Sequence, residues 1–286
     1  MFILFDIGGS KMRVAATEVL RGFEEPLILD TPQDFEAGMK ALIDAAHTVA
    51  RGRPIQMAVG GIAGPLNKEK RLLTNAPHLP EWIGKPFKAQ LEEALNVSVH
   101  VENDSALVAL GEANFGAGKG FTTVAYLTIS TGVGGTRVVR GGLDPCTSGF
   151  EPGHQIIDMG RSACPACKSG TLEDHVSGTA LATRFGKQPN EITDEKVWAE
   201  IAEYLAVGVM NTIVHWTPDV VVLGGSMIVR KPGIAVADVE AQLKKILTIY
   251  PTVPILKAAE LESVGGLYGG LALLEQLHVG DEKTAA

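Results

Sequence analysis

Four groups of residues in this sequence have the types and spacing needed for chemistry. Asp6-Ile-Gly-Gly-Ser10-Lys11 closes an apolar run near the N-terminus, and Ser130-Thr-Gly-Val-Gly-Gly-Thr136 closes a second one later in the chain. Each reads as a strand, a glycine turn and a returning strand, a hairpin whose tip exposes backbone amides. Asn103-Asp104 stands where the apolar run Val97–Val101 gives way to a helical pattern, so the pair sits at a strand-to-helix join. Glu151, His154 and Glu173 lie in a polar stretch rich in Gly, Pro and Cys. Phosphoryl transfer needs few covalent participants: a carboxylate to orient and deprotonate the attacking hydroxyl, backbone donors around the phosphates, and magnesium. Two glycine hairpins and a carboxylate at a strand end meet that list.

Other nucleotide chemistries leave different marks. The chain has no Gly-x4-Gly-Lys-Ser/Thr run, which disfavours the P-loop class, and no Gly-x-Gly-x-x-Gly helix start after its first strand, which disfavours a dinucleotide dehydrogenase. A formal net charge of −8 argues against nucleic acid or an anionic membrane surface as partner. The opening Met-Phe-Ile-Leu-Phe-Asp lacks the basic n-region of a signal peptide, and no run approaches membrane-spanning length. Three cysteines, Cys146, Cys164 and Cys167, are too few and too odd in number for a disulfide framework, so the expected location is cytoplasmic.

The elements that must position these residues follow from periodicity. Strands are expected at Phe2–Phe5, Met12–Thr17 and Leu27–Leu29, then an amphipathic helix from Phe35 carrying Met39, Leu42, Ile43, Ala46 and Val49, then a strand at Ile55–Val59. Gly60 to Gly84 reads mostly as loop, and its length and its Trp82 argue for a functional one. Pro86–Leu95 reads as a helix, Val97–Val101 as a strand and Ser105–Phe115 as a helix, with Asp104 placed as its N-cap. The pattern then restarts with Phe121–Ile129, the second turn, and Arg137–Val139, followed by an insertion at 146–175. Helices are expected at Ser177–Phe185, from Val197 to Trp216, at Val236–Leu247 and at Val264–Leu277. Short strands at Asp219–Leu223, ending in Gly224-Gly225-Ser226, and at Val253–Leu256 complete the second half. The glycines at 265, 266, 269 and 270 weaken the last helix in isolation and imply close packing against another element.

Taken together, these motifs resemble the ROK family of sugar kinases, glucokinase-like members of the actin-like, sugar kinase and Hsp70 ATPase superfamily, essentially from end to end. Asp6 to Lys11 resembles the first phosphate motif, with Ser10 where Thr is usual. Ser130 to Thr136 resembles the second, with Ser130 and Thr136 replacing glycines seen in many members. Gly224-Gly225-Ser226 resembles the adenosine segment, Asn103-Asp104 the sugar and catalytic pair, Glu151-Pro-Gly-His154 the ExGH sugar motif, and Leu172-Glu173 the end of the zinc motif.

The resemblance implies an α/β fold of two actin-like, ribonuclease H-like lobes, each a mixed five-stranded sheet flanked by helices, with a cleft between. One lobe is expected at 1–115 with 264–286, the other at 116–263. It further implies Asp104 as general base for a sugar hydroxyl, with Asn103, Glu151, His154 and Glu173 holding other hydroxyls. Asp6 is expected to position Mg2+ through water. Gly8, Gly9, Ser10, Lys11, Thr131, Gly132, Gly134 and Gly135 are expected to cradle the phosphates of ATP, and Gly224 and Gly225 to meet its adenosine. His78 stands where glucokinase-like members often have an Asn that touches the sugar, and Asn75 is a nearby substitute. The zinc motif is incomplete: His154 and Cys164 are in register, Cys167 is displaced by one, and Thr171 stands at the third thiolate, so Zn2+ has at most three of these protein ligands. The partner is expected to be a small-molecule sugar, and the resemblance suggests a homodimer. The alternative is a non-catalytic sugar-binding or sugar-sensing ROK protein without a DNA-binding domain.

Overall fold

The first two strands pair antiparallel to form the N-terminal hairpin. Phe2–Ile7 is buried along its whole length and pairs antiparallel with the next strand, so that Asp6 faces Arg13 and Ile7 faces Met12 across the turn. The computed structural model describes residues 1–146, 149–161 and 169–284. Its strands and helices, in chain order, are β1 (Phe2–Ile7), β2 (Lys11–Thr17), β3 (Leu27–Asp30), α1 (Phe35–Ala50), β4 (Met57–Ile62), α2 (Phe87–Leu95), β5 (Ser98–Asn103) and α3 (Asp104–Asn114). There follow β6 (Thr123–Ile129), β7 (Val133–Val139), β8 (Gly142–Leu143), α4 (Leu172–Val176), α5 (Gly178–Phe185), α6 (Glu195–Trp216), β9 (Val220–Gly224), α7 (Ser226–Val229), α8 (Val236–Ile246), β10 (Ile255–Ala258) and α9 (Gly265–Thr284).

These elements form two compact units. The first comprises Met1–Asn114, Pro145–Gly149 and Ser263–Ala286, and the second Phe115–Asp144 with Phe150–Glu262. In the first unit the sheet order is β3-β2-β1-β4-β5, antiparallel among β1, β2 and β3 and parallel from β1 through β4 to β5. The second unit repeats the plan with β10-β9-β6-β7-β8, where β6, β9 and β10 are parallel and β6, β7 and β8 antiparallel. Each sheet is thus mixed and five-stranded, with a hairpin on one side and parallel strands linked by helices on the other.

Several glycines expected to lie in loops belong to strands. Gly60 and Gly61 extend β4 to Ile62, paired parallel with Phe5 and Asp6 of β1, and Gly134 and Gly135 lie in β7, which begins at Val133 rather than at Arg137. Sheet pairing fixes the chain there whatever the intrinsic preference of glycine. The last strand runs Ile255–Ala258, two residues later than the expected Val253–Leu256, because it pairs with β9 in the register Ile255↔Val220. Within the long 60–84 segment, Trp82 is 1% exposed, packs edge-on against Phe35 at 5.3 Å and donates from Nε1 to the Pro32 carbonyl at 3.3 Å. It anchors that segment to the core of the first unit.

The glycine-rich last helix packs as its composition implied. A Cβ on Gly269 would sit 1.8 Å from the Leu107 carbonyl of α3, and one on Gly111 of α3 would sit 2.5 Å from the Gly265 carbonyl, so the α3 and α9 backbones approach closely only because side chains are absent. In the second unit, α6 is long and apolar enough by composition to cross a membrane, but Trp198, Ile201, Leu205, Val209 and Ile213 on it are core residues.

Candidate active site

Parallel pairing sets the first part of the site. Ile7, Ile62 and Asn103 are aligned across β1, β4 and β5, so Asp6 and the Asn103-Asp104 pair come together at the carboxyl ends of parallel strands, where open α/β sheets bind ligands. The cap of α3 is Asn103, one residue earlier than expected. Its Oδ1 accepts the Ala106 amide at 3.1 Å and its Nδ2 donates to the Gly64 carbonyl at 3.1 Å, tying the end of β5 to the loop after β4. Asn103 still ends the extended strand, so it has the backbone that a cap needs, whereas Asp104 is already in the helix.

Asp104 is therefore left with few partners. Its Oδ1 accepts the Ser105 amide at 2.7 Å and lies 3.4 Å from the Ser105 hydroxyl. Burial pushes its carboxyl up from an ordinary 3.8 to about 7, the charge of Asp6 adding to the rise and the Ser105 hydrogen bonds opposing it. Burial likewise lifts Asp6 to about 6, against the pull of the Arg13 guanidinium 3.6 Å away. The composition of the turn did not signal Arg13; the hairpin register, which sets Arg13 opposite Asp6, contains the clue.

At the turn between β1 and β2, Gly8 donates to the Lys11 carbonyl at 2.9 Å, while the amides of Gly9 and Ser10 have no acceptor among the described residues. The Gly8 and Gly9 carbonyls are held by Thr31 Oγ1 at 2.8 Å and Gln33 Nε2 at 3.0 Å. The tip is thus fixed from behind, and two consecutive donors remain for an anion. His78 lies against this turn: a Cβ on Gly9 would sit 2.4 Å from that of His78. Asn75 is exposed, and its carbonyl lies beside Gly64. Lys11 forms an exposed ion pair with Asp30 at 2.5 Å.

The second unit has the corresponding turn. Ser130 donates to the Gly132 carbonyl at 2.9 Å, and the amides of Thr131 and Gly132 have no acceptor among the described residues. Two departures from the family pattern find places here. The Ser130 hydroxyl hydrogen-bonds that of Ser226 at 3.0 Å, joining the end of β6 to the residue after Gly224-Gly225, and Thr136 is 5% exposed within β7. Gly225 adopts φ +87°, a conformation that disfavours any side chain, and brings the chain against the Ile129 carbonyl.

Glu151, His154 and Glu173 come together around this turn. A short 3-10 turn at Pro152–His154 packs on β7, where a Cβ on Gly153 would sit 2.2 Å from the Val133 carbonyl. The Leu172 amide donates to the Gln155 carbonyl at 2.9 Å, linking this segment to α4. Partial burial raises the Glu151 carboxyl, His154 lowering it and Glu173 raising it. Glu173 accepts the Val133 amide at 2.7 Å through Oε2.

Two cations can be tested against these residues. Mg2+ is held by one or two carboxylates together with waters and phosphate oxygens, and the buried Asp6 beside Asp104 supplies that charge. Zn2+ needs a fuller set. Cys164 and Cys167 lie outside the described residues, and the Thr171 hydroxyl caps α4 by accepting the Asp174 amide at 3.2 Å, so no thiolate stands at the third position. Among the described residues, no group of three His, Cys, Asp or Glu side chains could hold a metal ion.

Two hairpin-opened sheets with donors at their turns define a protein of the actin-like ATPase fold. A family model described as ROK family matches residues 3–277, and the chain belongs to that family. It is 32% identical to a glucokinase of Streptomyces coelicolor over 73% of this chain and 65% of that one. It is 27% identical to an N-acetyl-D-glucosamine kinase of Escherichia coli over 96% of this chain and 99% of that one. A ROK hexokinase structure from Thermus thermophilus superposes with a TM-score of 0.81 at 28% identity, covering 98% of this chain and 99% of that one. The protein is a carbohydrate kinase.

Proposed function

We propose that the protein transfers the γ-phosphoryl group of ATP to a hydroxyl of a hexose or amino sugar, with Asp104 as general base. The observation that carries this reading is the placement of Asp104 beside Asp6 at the carboxyl ends of β1 and β5, with a carboxyl lifted to about 7. A base of that strength takes a proton near neutral pH and gives it up again easily. As the sugar oxygen attacks the γ-phosphorus, Asp104 accepts the hydroxyl proton, the new O–P bond forms, and the bond to the ADP oxygen breaks with its electron pair on ADP.

The remaining residues bind and orient. The open amides of Gly9, Ser10, Thr131 and Gly132 hold phosphate oxygens, with Gly8, Lys11, Gly134 and Gly135 completing the turns and Gly224 and Gly225 meeting the adenosine. Asn103, Glu151, His154 and Glu173 hold the other sugar hydroxyls, and His78 and Asn75 bear on which sugar is accepted. Asp6 would help hold Mg2+, which when bound would neutralise charge on the phosphates. The two units serve as the two lobes of the kinase. Names of full-length relatives include an N-acetyl-D-glucosamine kinase, which supports an amino sugar as one substrate class.

The test is a screen for ADP release over hexoses, amino sugars and N-acetylated sugars, with the product identified for each hit. A phosphosugar is expected from at least one class. Sugar binding without ADP release or phosphosugar across the panel would remove the catalytic reading in favour of a binding protein.

A further inference from the structure

The turn at Ser130–Gly132 is anchored from outside at four points, and only one anchor is charged. Gly178 donates to the Ser130 carbonyl at 2.7 Å, and Thr179 reaches the Thr131 carbonyl from its amide at 3.2 Å and from Oγ1 at 2.9 Å. The third anchor is the Ser130 to Ser226 hydroxyl pair at 3.0 Å. The fourth runs from the Val133 amide to Glu173 Oε2 at 2.7 Å, a charge-assisted bond and so the strongest of the set.

Glu173 cannot follow the turn if the turn moves. Thr171 caps α4, the Ser177 amide holds the Glu173 carbonyl at 3.1 Å, and Leu172 is fully buried against Gly208 of α6. The carboxylate lies so close over the turn that a Cβ on Gly132 would sit 2.7 Å from Oε2. Its other oxygen, Oε1, has no hydrogen-bond partner among the described residues.

We infer that Glu173 is a positioning residue for the nucleotide as well as a sugar ligand. Oε2 holds the Val133 amide and so fixes the neighbouring Thr131 and Gly132 amides in the orientation that receives phosphate, while Oε1 faces the sugar. The inference rests on the reading of Ser130–Gly135 as a phosphate turn. It assigns to one carboxylate two tasks that substitution separates: a glutamine keeps an acceptor for Val133 but loses the charge offered to a sugar, and an aspartate keeps the charge but draws it back by one methylene.

The experiment measures the dissociation constant of Mg2+-ADP by calorimetry with no sugar present, beside sugar KM and melting temperature, for the native chain, Glu173→Ala, Glu173→Asp and Glu173→Gln. Loss of this bond should weaken Mg2+-ADP binding about tenfold in Glu173→Ala and several-fold in Glu173→Asp. Glu173→Gln should stay within about threefold of native for Mg2+-ADP while its sugar KM rises about tenfold. Equal Mg2+-ADP affinity in all four proteins would overturn the inference, and so would a loss in Glu173→Gln as large as in Glu173→Ala. If Glu173→Ala does not fold, Glu173→Asp against Glu173→Gln decides the matter. A native chain that binds Mg2+-ADP but phosphorylates no sugar sinks the functional reading and leaves this comparison intact. A native chain that binds no Mg2+-ADP overturns both.

Discussion

Replacing Asp104 by Asn tests the assignment of the base in two independent ways. The amide keeps an oxygen for the Ser105 N–H and changes the volume little, so what is removed is the titration. In the native fold the carboxyl holds its proton to about 7, whereas in the unfolded chain it releases it near 3.8. Between those values the native state binds more protons than the unfolded one, so its stability falls as pH rises through that window, and the full penalty is present above about 7. A rise of about 3 in pKa corresponds to a ceiling of about 4 kcal/mol. Asp104 is partly open to solvent and part of the rise comes from Asp6, so about half, ~2 kcal/mol, is the working expectation. Asp104→Asn should then melt roughly 6 °C above the native protein at pH 8, at about 3 °C per kcal/mol, and within a degree or so of it near pH 4. Melts followed by calorimetry in metal-free buffer at both pH values give this difference. Turnover should fall by about 10²- to 10⁴-fold with sugar KM within about tenfold, because loss of a general base acts on the transition state. A melting difference that does not change with pH would refute the raised Asp104 carboxyl, and a variant retaining a tenth or more of native turnover would refute the base.

The neighbouring charge can be tested separately. Arg13→Gln removes the guanidinium that pulls Asp6 down, so the Asp6 carboxyl should titrate above about 6; carbon-13 NMR of labelled aspartates would show it, and an unmoved titration would exclude the Arg13 effect. The helix contact makes a contrasting pair. Gly269→Ala drives a methyl to 1.8 Å from the Leu107 carbonyl and should cost about 3 kcal/mol or more, whereas Gly270→Ala meets Leu4 and Val59 at 3.4 Å and should be neutral or stabilise by up to about 1 kcal/mol through helix propensity. Equal chemical-denaturation midpoints for the two variants would contradict the close α3–α9 approach.

Much of the architecture was legible because periodicity reports burial. The 3.6-residue spacing from Phe35 marks one buried helix face, the continuous apolar runs at Phe2 and Val220 mark strands buried on both faces, and each became the element it implied. Glycine was less legible. Read locally it marks a turn, and at Gly9 and Gly132 it does, but Gly60, Gly134 and Gly224 lie in strands because β1 and β6 pair with them, a tertiary fact invisible to a local window. Trp82 belongs to the same class: its aromatic ring argued for a working loop, and the fold uses it as an anchor. Arg13 and the Val133 to Glu173 bond escaped notice because each joins groups that only hairpin register or long-range packing makes adjacent.

The one-residue displacement of the α3 cap has a consequence for reactivity. A carboxylate at an N-cap accepts backbone amides from the first turn and sits in the positive end of the helix dipole; both stabilise its charged form and can hold its pKa well below the ordinary range. An Asp in that position is a poor base at neutral pH. Here Asn103, which carries no charge, takes the cap by accepting the Ala106 amide, and Asp104 keeps only Ser105 while burial and Asp6 push its carboxyl to about 7. On the proposed reading of Asp104 as base, the adjacent pair divides two incompatible tasks, fixing the helix start and keeping a basic carboxylate in place. Exchanging the two side chains should therefore leave a capped helix and remove the base.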